Sequence, residues 1–211
     1  MWQRPEVHVS PGFCLLIGWF AAVNGWQSLV MVLAAAVTHE LGHWVVLRLL
    51  GVQVRAVRLA LPGVVLESGN GGLSYGRELA AVLAGPGANL LCALALTALG
   101  PGREAEAGAH LVLGIFNLLP VRPLDGGCAL HLASSWLWGP EAGERVTRWT
   151  GVVAALAMSA ILGCLMRHTG GSLWLLPALA GFLTAAVRET GISELCGVHK
   201  RRAFCRREGG R

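Results

Sequence analysis

A chain of 211 residues has the length of one domain, at most two. Hydrophobic residues make up 54% of it and charged residues only 14%, with a mean hydropathy of +0.57, whereas a soluble domain carries about 25% charge. Intrinsic disorder and an ordinary soluble fold are thereby excluded, and the composition points to an all-α polytopic membrane protein. The net charge of +5 would suit nucleic acid. However, the basic residues sit where apolar runs end rather than on one face, so no nucleic-acid partner is expected. The lipid bilayer is the partner the composition implies.

Taken in chain order, apolar runs at 12–23, 27–50, 79–99, 108–121, 149–166 and 172–187 predict about six transmembrane helices. A bilayer core about 30 Å thick needs roughly 20 helical residues. The second and third runs meet that length; the first, fourth and sixth are short and require tilt or a thinned membrane. Asn24-Gly25 reads as a tight turn between the first two. The first run competes between a secretory signal, with Ala21-Ala22-Val23 as a small-residue cleavage site, and a retained span. The single Arg4 ahead of it and the prompt start of the next run favour the span. Between Val52 and Arg77 the pattern changes. Val52-Gln53-Val54-Arg55-Ala56 alternates with period two, Pro62-Gly63 makes a turn, Val64-Val65-Leu66 suits a second strand, and residues 69–72 form a loop. A small β element on the cytoplasmic side is expected.

Cytoplasmic loops carry the excess of Lys and Arg. With the N-terminus inside and six spans threaded, all of the 17 basic residues except Arg103 and Arg167 face the cytoplasm. Both termini are therefore expected inside a bacterial cell membrane. The stretch Lys200 to Arg211 is a basic cytoplasmic tail, solvated and within reach of anionic lipid. Six cysteines are scattered through the chain without CxxC spacing. They read as apolar thiols rather than a disulfide framework.

The chemistry concentrates in Thr38-His39-Glu40-Leu41-Gly42-His43-Trp44. On a helix, His39 and His43 lie one turn apart on a shared face, where two imidazoles can reach one Zn²⁺. Glu40 stands beside them as a base for a metal-bound water; this is the H-E-x-x-H pattern. A solvated polar face would be the bland explanation. Yet the flanks are Ala, Val, Leu and Trp, and His39 falls roughly 18 Å from either end of its run, a depth at which ionisable groups are costly and functional by default. A tetrahedral catalytic site needs a third protein ligand and an open position. The chain has one aspartate, Asp125, after Asn117-Leu118-Leu119-Pro120-Val121-Arg122-Pro123-Leu124 and before Gly126-Gly127. It lies at the expected cytoplasmic end of the fourth run, on the side of the second half of the helix bearing the histidines. By itself it reads as a turn or cap residue; beside the histidine motif, a ligand is the better reading.

These motifs resemble the site-2 protease family of intramembrane zinc metalloproteases. The resemblance rests on His39 to His43, on Gly85-Pro86-Gly87-Ala88-Asn89 and on Asn117 to Gly127, in the family's order. It is nearest to the compact branch typified by stage IV sporulation protein FB, with six spans and no inserted PDZ domain. The resemblance implies one intramembrane metalloprotease domain over 1–190, with its catalytic core at about 12–130, followed by the tail at 191–211. It implies that His39, His43 and Asp125 hold zinc and that Glu40 activates water. Asn117 then stabilises the oxyanion or holds the substrate strand, and Asn89 supports substrate binding. The implied substrate is a membrane-associated protein, such as a transcription-factor precursor in spore formation, with a regulatory membrane protein as further partner. The short stretch between Arg188 and Arg211 leaves no room for the nucleotide-binding CBS domain of some relatives. Strand addition at 52–66 would extend the substrate. The rival class is a zinc-binding transporter or scaffold without protease activity. Among the remaining histidines, His8, His168 and His199 lie in termini or loops, His110 near the outer end of the fourth span, and His131 is a lesser candidate for supporting the metal ligands.

Overall fold

A computed structural model of the chain describes residues 6–52, 54–60, 63–68, 73–122, 124–168 and 176–189. The tail at 191–211, and with it Cys196, His199 and Cys205, lies outside these residues, as do the loop at 69–72 and Pro62. The chain packs as two units, Met1–Leu118 and Leu119–Arg211.

The first unit holds β1 (Glu6–Val9), α1 (Pro11–Leu49), β2 (Val54–Ala60), β3 (Gly63–Ser68), α2 (Tyr75–Ala98) and α3 (Glu104–Asn117). Pro11 opens α1 where its missing N–H costs nothing, and the Ser10 carbonyl accepts from the Cys14 N–H at 3.4 Å. The first two apolar runs form one helical element, broken at Gly25, where φ is 80° and ψ is 160°. Only glycine occupies that region readily, so the expected turn at Asn24-Gly25 is a kink instead, one residue long. At the other end of α1 the Val52 N–H reaches the Leu47 carbonyl at 2.9 Å and the Gly51 N–H reaches Arg48 at 3.0 Å, the Schellman pattern. Leu47 and Val52 are both buried under it. The chain then enters β2. The sheet order is β1-β2-β3, with β1 parallel to β2, β2 antiparallel to β3, and an irregularity at Val54/Ala56. Strand β1 was not anticipated: four residues are too short for a period to register. Helix α3 begins earlier than the apolar run at 108, because Glu104 and Glu106 fill its first turn, where carboxylates suit the helix dipole.

The second unit holds α4 (Asp125–Trp138), α5 (Pro140–His168) and α6 (Leu176–Glu189). Helix α4 is absent from the sequence expectation, in which Asp125 by itself read as a turn or cap residue. The helix starts at Asp125 itself. Gly127 is there for packing, since a Cβ on it would lie 2.6 Å from the Val121 carbonyl carbon and 2.7 Å from the Arg122 nitrogen. The backbone of Val121 and Arg122 thus rests directly on the first turn of α4, with Val121 only 1% exposed and the Leu124 N–H donating to the Val121 carbonyl at 2.8 Å.

Three helices are long and apolar enough to cross a membrane: Cys14–Leu49, Tyr75–Ala98 and Pro140–His168. Helices α3 and α6, with 14 residues each, reach about 21 Å and fall short of a full crossing, so the count of six spans reduces to three such helices among the described residues. Large apolar side chains such as Trp26, Leu91, Leu94, Trp149 and Val153 are exposed along the long helices. Surface of that kind and extent marks an integral membrane protein.

Gly127→Ala is expected to destabilise the second unit by about 1–3 kcal/mol, the usual cost of overpacking against backbone. It would show as a lowered Tm in detergent, while Gly163→Ala, where a Cβ meets nothing within 4 Å, leaves the Tm unchanged or raised.

Candidate metal centre

The centre is built where α1 crosses α2. Small residues bring the two backbones together: a Cβ on Gly42 would lie 2.8 Å from the Ala88 Cβ and 3.1 Å from the Ala84 carbonyl carbon. One turn along α1, His39 and His43 face Gly85. A Cβ there would meet the His43 ring, 2.6 Å from its Cε1, and lie 2.8 Å from the His39 Nε2. The absent side chain is the space that the imidazoles occupy.

Within that space the His39 and His43 Nε2 atoms stand 3.1 Å apart, with the rings at 81° to each other. Two nitrogens each about 2.0–2.1 Å from a tetrahedral Zn²⁺ are separated by roughly 3.3 Å, so the pair suits one cation. The far nitrogens are also engaged. His43 Nδ1 donates to the Ala81 carbonyl at 2.8 Å. A carbonyl only accepts, so the His43 proton sits on Nδ1 and the Nε2 lone pair is available, as ligation requires. His39 Nδ1 lies 3.3 Å from the side-chain amide of Asn89. The other end of that amide is 3.1 Å from His110 Nδ1, and His110 Nε2 is 3.5 Å from Cys92 Sγ. His39, Asn89 and His110 are 5%, 0% and 6% exposed, so these three side chains are closed to bulk water, while Cys92 at the end of the line is half-buried.

Glu40 follows His39 on α1 and is half-buried. Asn117 ends α3, half-buried, with its Nδ2 donating to the Leu113 carbonyl at 3.0 Å. Asp125 belongs to the second unit, as the first residue of α4, where the positive helix end favours a carboxylate. The structure therefore brings His39, His43 and Asn89 together in the first unit, and in the second it fixes Asp125 at a rigid helix start. His131 has a different role from supporting the metal ligands. Arg122 Nη2 donates to its Nδ1 at 2.9 Å, and the same guanidinium holds Glu144 through both nitrogens, at 3.2 and 3.0 Å. This cluster ties the turn before Asp125 to α4 and α5. Burial, then the Arg122 charge, lower the His131 pKa.

Sequence reading gave His110 a bland place near the outer end of the fourth span, read Cys92 as an apolar thiol, and missed the role of Gly85. The signal for His110 was present, since an ionisable side chain in an apolar run is itself an anomaly. Gly85 reads from sequence as a helix breaker, and only its closeness to two imidazoles shows otherwise.

No family model matches the chain. A Mycobacterium tuberculosis protein named "Putative zinc metalloprotease Rip3" is 35% identical over an alignment of 199 residues that covers 84% of this chain and 48% of that protein. A Synechocystis protein named "Putative zinc metalloprotease sll0528" is 33% identical over 119 residues, 51% of this chain and 31% of that protein. The chain thus spans about half the length of the first curated relative and less of the second. Among solved structures, the site-2 protease from Methanocaldococcus jannaschii superposes with a TM-score of 0.62 at 22% identity, covering 88% of this chain and 94% of that one. The chain has the site-2 protease fold.

Two outcomes are expected. Gly85→Ala drives the imidazoles apart and lowers the divalent metal retained by purified protein, as read by elemental analysis. Separately, because folding depresses the His131 pKa below 6.5, the unfolded chain takes up the proton first. The stability held by the Arg122–His131 contact is complete above pH 6.5 and declines as pH falls from there toward the folded value. Thermal unfolding between pH 7.5 and 5.5 should show that decline, weakened in His131→Gln.

Proposed function

We propose that the chain is a zinc metalloendopeptidase of the site-2 protease family, cutting a membrane-tethered protein. The observation that carries this reading is the pair of buried Nε2 atoms 3.1 Å apart in a cradle that a single Cβ on Gly85 would fill. The names of the two relatives and the fold likeness support it. We take Asp125, the sole aspartate, as the third ligand beside His39 and His43, as the motif order suggests.

Zinc in such a site lowers the pKa of a bound water and polarises a carbonyl. The remaining work falls to the chain's own groups. Glu40, next to the ligand His39, accepts the proton of the attacking water and returns it to the leaving amine. Asn117 offers a side-chain N–H to the developing oxyanion or to the substrate strand. Asn89 was expected to support substrate binding; its burial and its contacts to two imidazoles favour a place behind the metal instead. The edge of the β1-β2-β3 sheet suits an extended peptide, which hydrolysis needs because a helical substrate conceals its amides in its own hydrogen bonds. Cytoplasmic termini and a regulatory membrane partner complete the proposal. A transcription-factor precursor is the finer substrate class implied by the sporulation branch, which the relatives' names do not mention.

A transporter would also place histidines within a span, but it has no use for a carboxylate beside two ligands. Glu40→Gln should abolish cleavage of a membrane-tethered substrate while zinc remains bound at native stoichiometry, whereas Asp125→Ala and His43→Ala should lose zinc as well. Native-rate cleavage by the Glu40→Gln protein would exclude the peptidase reading.

A further inference from the structure

Asn89 and His110, both buried, and the half-buried Cys92 form a line behind His39, on the side away from His43. An imidazole has one lone pair when neutral, and the nitrogen that binds metal must be the unprotonated one. For His43 the Ala81 carbonyl settles the question. For His39 the partner is an amide, which can present either a donor or an acceptor.

The two ends of that amide have opposite consequences. With Nδ2 toward His39 and Oδ1 toward His110, the arrangement in the structure, Nδ1 of His39 accepts a hydrogen bond and its proton is confined to Nε2, the atom that faces His43. A half-turn of the amide reverses this. Oδ1 then accepts from His39 Nδ1–H, Nδ2 donates to His110 Nδ1, and His110 Nε2–H donates to Cys92 Sγ. Every group stays neutral and keeps its own proton count, because the change moves each imidazole proton to the other nitrogen of the same ring.

Resting on the zinc reading above, we propose that Asn89 is a positioning residue that selects the metal-binding tautomer of His39 through its side-chain oxygen, and that His110, backed by Cys92, holds the amide in that orientation. The pair does for His39 what the Ala81 carbonyl does for His43. The difference is that a backbone carbonyl is fixed, whereas an amide must be held by a second partner. With zinc on its Nε2, His39 carries its proton on Nδ1 and the amide turns its oxygen forward; a buried amide N–H without an acceptor is costly, and His110 Nδ1 is placed to supply that acceptor.

The test uses the full chain in detergent, with zinc alone as ligand and affinity measured by competition against a chelator. Asn89→Leu keeps the volume and removes the acceptor; zinc affinity should fall about 10- to 100-fold, the range for loss of a partner behind a ligating histidine. Asn89→Asp keeps an acceptor on His39, and His110 can donate to its other oxygen, so affinity should stay near native. His110→Phe should give a smaller loss than Asn89→Leu. Nitrogen NMR of ¹⁵N-histidine-labelled, zinc-loaded protein should show His39 protonated at Nδ1. Should Asn89→Leu fail to fold, the near-native affinity of Asn89→Asp, the loss in His110→Phe and the NMR tautomer decide. If zinc binds the native chain and is lost in His39→Ala, while Asn89→Leu retains native affinity or Asn89→Asp loses it as far as the Leu variant does, the inference is overturned and the zinc reading stands. If the native chain binds no zinc, or His39→Ala retains it, the zinc reading itself fails.

Discussion

The site depends on placing two imidazoles edge to edge inside an apolar helix crossing. Water satisfies the far nitrogen of a histidine at a protein surface. Here it cannot, and an unpaired polar nitrogen in such surroundings costs several kcal/mol. Each ring therefore needs a built partner, and α2 supplies both: the Ala81 carbonyl for His43 and the Asn89 amide for His39. The same helix must come close enough to deliver them, and glycines on both sides of the crossing allow it: Gly42 of α1 faces α2, and Gly85 of α2 faces the two imidazoles. Close approach and polar partnership are one requirement. A bulkier residue at either glycine would separate the helices and leave the nitrogens unpaired.

The second unit sets its one aspartate, Asp125, on a stiff support. A residue at the first position of a helix has its backbone fixed by the following turns. The backbone of Val121 and Arg122 is pressed against that helix at Gly127 and clamped by the Arg122 fork on Glu144. A two-point guanidinium–carboxylate contact fixes direction as well as distance. The pH sensitivity of His131 enters through this clamp and not through the metal ligands.

The histidine pair was legible in the sequence because helical spacing and an apolar setting are both local facts. Asp125 stood out only by being the sole aspartate. What the sequence concealed were features set by tertiary approach. Gly126-Gly127 carries the local mark of a turn, yet it lies in the first turn of α4, where the missing Cβ of Gly127 leaves room for the backbone of Val121 and Arg122. Gly85-Pro86-Gly87 carries the mark of a break, yet α2 runs from Tyr75 to Ala98 through it. The first two apolar runs were legible as separate helices but not as one element kinked at Gly25. Hydropathy counts apolar length, and so it credited α3 with a span that its 14 residues do not supply.

That shortness bears on the chemistry. Hydrolysis in a membrane needs water at a depth where hydrocarbon excludes it. A helix about 21 Å long cannot reach both faces of a core about 30 Å thick, so one end of α3 stops within it unless the bilayer thins there. The last carbonyls of any helix need donors. At the end of α3 the Leu118 N–H takes Gly114 and Ile115, at 3.2 and 3.1 Å, and the Asn117 amide turns back to Leu113. The tightened last turn and the back-bonded amide satisfy part of that demand, and water meets the rest more readily than lipid does. The helix that carries His110 beside Asn89 thus also ends in a hydratable turn with Asn117 on it, so one short element has both a dry side and a wet end.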